Sequence, residues 1–380
     1  MASESAAARP DAARPDAARP DAARPDAAGL APGAAGPGGT GTPLLEIRDL
    51  RVHYRAPGLL GRSGPPVRAV DGVSLTLRRG ATLGLVGESG SGKTTLAKSL
   101  VRLEPVTSGE VIFGGEDIAA MTERAFTPVR RRIQMVFQDS LNSLNPRFTL
   151  ADTLAEPFIV HKLAPRAELR DRVAQLLLQV GLSPEMMDQQ ATHLSGGQRQ
   201  RVNIARALAP GPEVIVADEP TSALDVSVQA QILNLMRDLQ HRLGMSYLFI
   251  SHDLGVVRRV ATDVAVMYLG QVVETAPRDA IYARPLHPYT RALMQAAPRP
   301  DPRRERGRLQ APIPGEVPSS SAPPPGCRFH PRCPLARPVC SADEPALRLI
   351  APQHWSACHF ADELAAEPAL AGGPDTSGSG

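Results

Sequence analysis

The stretch GLVGESGSGKTTL, residues 84–96, leaves this chain few ways to fold. An apolar run ends in Gly87-x-x-x-x-Gly92-Lys93-Thr94, and a helix-forming run follows at once. Glycines let the backbone curl until successive N–H groups converge on one anion, and the following helix points its positive end at the same charge. That turn needs a buried strand before it and a helix after it. The rest of the chain repeats the alternation. Apolar runs bounded by Gly and Asp read as strands: LLEIRDLRVHY, VSLTLRRG, TLGLVG, EVIFGG, IQMVFQ, EVIVADEP, SYLFISHD and VAVMYLG. Between them, RVAQLLLQVGL (172–182) and VQAQILNLMRDLQHRLG (228–244) carry apolar residues at helical spacing. The pattern predicts an α/β domain with a mostly parallel sheet.

Composition sets the surroundings of that domain. No run approaches the roughly 18 consecutive apolar residues of a membrane helix. The first residues, MASESAAARPDAARPDAARP, break their alanines with Arg and Asp where a secretory signal needs an apolar segment, so a cytoplasmic chain is expected. The net charge of +3 falls partly in PRPDPRRERGR without interleaved aromatics, which predicts a solvated linker and no nucleic-acid partner. Residues 9–28 are four tandem copies of RPDAA, too poor in large apolar side chains to bury a core. The expected organisation is therefore a disordered tail over 1–43, one nucleotide-handling domain over 44–290, a Pro/Arg-rich linker over 291–325, a small cysteine-bearing lobe over 326–362 and a disordered end over 363–380.

Three further motifs carry chemistry. Around the glycine loop, Gly87, Glu88, Ser89, Gly90, Ser91, Gly92, Lys93, Thr94 and Thr95 are expected to hold a nucleotide, with Lys93 reaching the β- and γ-phosphates and Thr94 ligating Mg²⁺. VIVADEP ends an apolar strand in two carboxylates, Asp218 to hold Mg²⁺ and Glu219 to act as general base toward water. LSGGQRQRVNIARALA (194–209) opens a second helix behind Ser195 with two glycines, a second anion-binding helix start. One ATP does not need two such cradles from one chain. Two copies meeting head to tail would use both, each nucleotide lying between the Lys93 loop of one and the Ser195 turn of the other.

This constellation resembles the ATP-binding cassette ATPases over roughly residues 44–290. The resemblance implies a P-loop NTPase fold: a RecA-like parallel sheet, an antiparallel β subdomain and an inserted helical subdomain at about 139–200. It also implies roles. Ser195, Gly197 and Gln198 of LSGGQ would contact the opposing ATP. Asp225 of SALD would signal across the dimer, and His252 of FISHD would hold the γ-phosphate. Gln138 of MVFQD would sit near Mg²⁺ and the attacking water, and Tyr54 would stack on adenine. VFQDSLNSLNPRFTL, SALDVSVQAQILNLM, MYLGQVVE and RPLHPYTRALMQAAP are similar to the F-type ATP-binding subunit of oligopeptide/dipeptide importers. That likeness implies ATP-driven dimer closure coupled to two transmembrane permease subunits. It further implies a D-type ATP-binding partner, an extracytoplasmic substrate-binding protein and a place on the cytoplasmic face of the cell membrane. A nickel-chelate importer, and a cytosolic cassette ATPase that remodels nucleic acid or ribosomes, are the alternatives.

All four cysteines, Cys327, Cys333, Cys340 and Cys358, fall in the last part of the chain. Their spacing is wider than the pairs about two to four residues apart that structural zinc sites favour. Two expectations stand side by side: a metal staple, as a [4Fe–4S] cluster or Zn²⁺, and reduced thiols packed as modest hydrophobes.

Overall fold

Strands buried on every residue sit at the centre of the protein. A computed structural model describes residues 42–55, 65–139, 143–296, 313 and 315–368. The RPDAA tail, about half of the Pro/Arg-rich linker and the last residues lie outside them. β3 (Thr82–Val86), β7 (Val214–Asp218), β8 (Ser246–Ser251) and β9 (Asp263–Tyr268) are buried throughout, as expected for parallel strands covered on both faces. With β6 (Ile133–Val136) they form the parallel part of an eight-stranded sheet, in the order β9-β3-β8-β7-β6. β1 (Pro43–Tyr54), β2 (Val67–Arg78), β4 (Ser108–Phe113) and the two-residue β5 (Glu116–Asp117) form a separate antiparallel sheet in the order β2-β1-β4-β5.

The period-two alternation of the strands divides the core. Leu83, Leu85, Val214, Val216, Leu248, Ile250, Ala265 and Met267 point to the face covered by the antiparallel sheet, where they meet Leu50, Val70 and Val73. Their neighbours Val86, Ile215, Ala217, Tyr247, Phe249, Val264 and Val266 point to the other face, toward the helices. Helices α1 (Lys93–Leu100), α2 (Glu123–Arg132), α3 (Leu150–Val160), α4 (Leu169–Gln179), α5 (Gly196–Leu208), α6 (Val226–Leu243) and α7 (Leu254–Val260) follow or separate the strands. α3, α4 and α5 pack together through Leu154, Phe158, Val173, Leu177 and Val202, within and just beyond the segment expected to be a helical insertion. Thr149 and Asp152 cap the start of α3 reciprocally, and α6 stops at Gly244 in the left-handed conformation.

The C-terminal segment departs from its expectation as a lobe of its own. β10 (Gln271–Pro277) pairs antiparallel with β9, and β12 (His354–Ser356) pairs with β10, followed outward by β11 (Arg348–Ala351). The cysteine-bearing segment is thus an extension of the main sheet. The reason is a buried carboxylate. Glu274 in β10 is fully buried and accepts bonds from the Leu286 N–H (2.5 Å) and the His287 N–H (3.0 Å), and it pairs with His354 Nε2 at 2.7 Å. One acid therefore ties β10, the chain before α9 (Pro288–Ala296) and β12 together. Ordered helix also reaches into the stretches expected as linker and tail. α9 runs to Ala296, and the last helix covers Ala361–Ala366, with Leu364 buried beside Leu286 and Cys358.

Glu274→Ala would strand these buried donors, so the variant is expected to lose about 3 kcal/mol of stability. Thermal unfolding checks this. An unchanged midpoint would show that the acid does not fasten the segment.

Candidate active site

The phosphate loop lies where β3 hands over to α1. Gly92 stands at the helix start with φ 103°, and no side chain caps the helix there. No acidic residue occupies the first turn of α1. The free N–H groups and the positive helix end therefore face the loop without an internal competitor. Lys93 is buried, and its Nζ donates to the carbonyls of Gly87 and Glu88, both at 2.8 Å, and to Ser91 Oγ at 3.3 Å. Burial pulls the Lys93 ammonium below the usual lysine range, against the opposing pull of Glu219, Asp218 and Glu88. A buried cation resting on two carbonyls is poised to exchange them for the oxygens of a phosphate.

Across the loop, the end of β7 supplies both carboxylates, and the end of β8 supplies His252. Asp218 is buried, and Thr94 Oγ1 donates to its Oδ1 at 3.3 Å. Burial raises the Asp218 carboxyl above the usual aspartate range, with Thr94 and Lys93 acting the other way and Glu219 adding to the rise. A divalent cation there would act against that rise. Glu219 adopts φ 45°, an uncommon value for a non-glycine residue. Its N–H donates to the Ile250 carbonyl at 3.0 Å, which locks that turn to β8. Its Oε2 accepts from Gln138 Nε2 at 3.0 Å and lies 3.2 Å from His252 Nδ1. Three residues far apart in sequence thus meet on one carboxylate oxygen.

Tyr54, at the end of β1, faces Thr95 of α1 and Glu104, and burial raises its phenol above the usual tyrosine range. Ser195, Gly197, Gln198 and Asp225 belong to other elements. Ser195 Oγ accepts from the Gln198 N–H at 3.3 Å, while Gln198 Oε1 accepts from the Ser195 N–H at 2.9 Å, so the pair closes the start of α5. Gly197 lies against Val228 of α6. Asp225 caps α6, accepting from the Val228 N–H at 2.9 Å and Ser227 Oγ at 2.6 Å.

The sequence reading missed the ring of residues behind the loop. Tyr268, Tyr289 and Phe329 stack in one aromatic cluster, and Arg328 pairs with Asp71 and donates to the Leu269 carbonyl. Only the placement of Tyr268 in MYLGQVVE and of Tyr289 in RPLHPYTRALMQAAP hinted at them.

The four cysteines form no disulfide, and all four line one small apolar cavity of about 20 Å³, together with His330 and His359. Burial pushes the Cys327, Cys333 and Cys358 thiols up to about 11, so they are protonated at neutral pH. Among the described residues, no three His, Cys, Asp or Glu side chains stand together as a metal-holding group. The iron–sulfur or zinc alternative at these cysteines therefore has no support among the described residues. The thiols converge on that one cavity.

Comparisons with known proteins bear on the same segments. Residues 70–222 match the family described as "ABC transporter", and residues 273–340 match "Oligopeptide/dipeptide transporter, C-terminal region". A probable peptide ABC transporter ATP-binding protein of Sinorhizobium fredii is 51% identical, the match covering 85% of this chain and 91% of that protein. An oligopeptide transport ATP-binding protein of Bacillus subtilis is 47% identical over 83% of this chain and 97% of its own length. A di/tripeptide transport ATP-binding protein of Pseudomonas aeruginosa is 48% identical over 84% and 98%. Among solved structures, a dimeric ATP-binding cassette in a post-hydrolysis state bound to ADP and Pi superposes with TM-score 0.55 and 28% identity, covering 62% of this chain and 99% of that one. A component of an ABC transporter complex from Clostridium perfringens gives TM-score 0.56 and 27% identity, covering 63% and 90%.

Proposed function

The chain belongs to the ATP-binding cassette transporter ATPases, in their oligopeptide/dipeptide branch, and from that premise we propose how its own residues bind and hydrolyse ATP to energise peptide import. The observation that carries the reading is the meeting of Gln138, Glu219 and His252 on one carboxylate, beside a buried Lys93 and the Asp218–Thr94 pair.

The residues present fit ATP and Mg²⁺. An uncapped helix start and a buried ammonium suit the phosphates, while Thr94, Asp218 and Gln138 offer the oxygen donors that Mg²⁺ takes. Bound there, Mg²⁺ would neutralise charge on the β- and γ-phosphates. Lys93 leaves the Gly87 and Glu88 carbonyls and takes the γ-phosphate side of the nucleotide. Glu219 accepts the proton of the attacking water at its carboxylate, while Gln138 and His252 fix the direction in which that carboxylate faces. Tyr54 supplies an aromatic face at the base end. Ser195, Gly197, Gln198 and Asp225, on other elements of the chain, act on the ATP of an opposing cassette. The dimer that closes on two nucleotides then reopens after hydrolysis, and its motion is passed to the permease.

In this proposal the cargo is a di- or oligopeptide. The cassette works with two permease subunits, and the opposing cassette is a related D-type subunit rather than a second copy. An extracytoplasmic binding protein delivers the peptide, and the chain sits on the cytoplasmic face of the membrane. The relatives' names support peptide transport, and no helix among the described residues is long and apolar enough to cross a membrane itself. Affinity purification from gently solubilised membranes is expected to bring down two permease subunits and a second ATPase. Recovery of ribosomes or RNA instead would overturn the assignment in favour of a nucleic-acid remodelling ATPase.

For the cysteines, the arrangement favours thiols packed around an apolar cavity, with burial pushing those of Cys327, Cys333 and Cys358 up, and their convergence makes metal the one alternative worth measuring. Anaerobically purified protein is expected to hold substoichiometric iron, sulfide and zinc. Stoichiometric iron and sulfide with visible absorption, lost when all four cysteines become Ser, would establish a cluster. Stoichiometric zinc would establish a staple.

A further inference from the structure

Glu88 is held from outside the cassette core at both its side chain and its backbone. Arg332, in the turn between Cys327 and Cys333, places its guanidinium fork on the Glu88 carboxylate, with Nη1 to Oε2 at 2.7 Å and Nη2 to Oε1 at 3.0 Å. The same Nη1 donates to the Tyr268 hydroxyl at 3.3 Å. The Glu88 N–H donates to the Tyr289 hydroxyl at 2.8 Å. The remaining backbone group, the Glu88 carbonyl, receives Lys93 Nζ at 2.8 Å. A single loop residue therefore connects the phosphate-reaching lysine to two groups from the C-terminal region.

This arrangement is built, not incidental. The Arg332 side chain is only 4% exposed, although one face of its ion pair borders the nucleotide loop. A planar, two-point contact on a carboxylate fixes orientation as well as distance, which a lysine cannot do. Phe329, three residues earlier, packs against both Tyr268 and Tyr289, so the arginine and the tyrosine hydroxyl rest on one rigid aromatic cluster. The Cys327 N–H donates to the Cys340 carbonyl at 2.8 Å, tying the turn that carries Arg332 to the rest of the cysteine segment.

We propose that Arg332 and Tyr289 are positioning residues for the phosphate-binding loop, so that the segment following the cassette completes its nucleotide site. The proposal rests on the reading of the Lys93 loop as the ATP site and adds what holds that loop in shape before ATP arrives. Neither residue touches the phosphates. Each sets where the Glu88 backbone lies, and with it the resting place of Lys93 and the curvature of the N–H groups that follow. Without them the loop samples other shapes, and the cost appears as weaker binding rather than slower chemistry.

The test uses the full chain, equilibrium binding of ATP with Mg²⁺ and steady-state hydrolysis. Arg332→Ala is expected to raise the ATP dissociation constant and KM about fivefold or more, with kcat at saturating ATP within about twofold of wild type. Arg332→Lys should recover less than half of that loss. Tyr289→Phe keeps the ring packing and removes only the hydroxyl, so it reads the same effect even where the arginine variant folds poorly. Combined with Glu88→Ala, Arg332→Ala should add little to the Glu88→Ala defect, because each breaks the same link. Unchanged affinity in both Arg332→Ala and Tyr289→Phe would overturn the proposal, as would full additivity with Glu88→Ala, or a fall in kcat with KM unchanged. A wild-type chain that fails to bind ATP would overturn the functional reading, and this proposal with it.

Discussion

Glu219→Gln is expected to cut ATP turnover by about 10²- to 10⁴-fold while leaving ATP binding intact. The amide has nearly the same shape as the carboxylate, so the turn at φ 45° and the bond to the Ile250 carbonyl have no reason to change. Gln138 would still find an acceptor oxygen. What is lost is the oxygen that takes the proton from water, at the point where Gln138 and His252 now converge. With hydrolysis blocked and binding kept, ATP should accumulate in a closed pair of cassettes. Phosphate release assays and the elution of the variant with and without ATP, together with its partner subunit, check both halves. Wild-type turnover in Glu219→Gln would remove Glu219 from the role of base, and normal turnover loss without a closed pair would separate the chemistry from dimer closure.

The second large effect is structural. A Cβ on Gly92 would stand 2.0 Å from the Ala69 carbonyl oxygen and 2.8 Å from Met267 Cε, on a backbone with φ 103°. The methionine end can swing away, but the carbonyl is backbone and cannot. Gly92→Ala must therefore push the start of α1 off β2, and Lys93 moves with it. ATP affinity is expected to fall by about a hundredfold or more, with a stability loss of about 3 kcal/mol. Gly90→Ala is the internal control. Its φ is 78°, but no atom lies within 4 Å of the added Cβ, so only the conformational strain of about 1 kcal/mol remains. Binding isotherms and unfolding curves for the two variants separate steric displacement from strain. Equal losses in both would show that strain alone governs the loop.

How much of this was legible beforehand follows from the range of the interactions. The loop from Gly87 to Thr95 is local: strand, glycines and helix are contiguous, and each residue's duty follows from its neighbours in sequence. The eight apolar runs read as strands are all strands, and the four of them buried throughout, β3, β7, β8 and β9, are almost continuously apolar because both of their faces are covered. The short outer strands β11 and β12 were not read, because RLIA and HWS carry no period long enough to distinguish them from loop. They form because β10 offers an edge and Glu274 a buried acceptor, both supplied from far along the chain.

The site divides the same way. Gln138, Glu219 and His252 were each marked by their own motif, yet that they share one carboxylate oxygen is a property of β6, β7 and β8 lying near one another in a parallel sheet. Arg332 on Glu88 had no marker at all, since an ion pair across most of the chain leaves no trace in local pattern. The cysteines gave the opposite lesson. Their spacing in sequence left a metal staple and packed thiols side by side, whereas the fold gathers all four around one apolar cavity. By itself the sequence determined the α/β class, the phosphate loop and the carboxylates at the strand end, because local backbone geometry and burial dictate residue type there. The tertiary structure alone decided what holds the loop, how the C-terminal segment joins the sheet and what the thiols face, because those depend on contacts whose partners are remote in the chain.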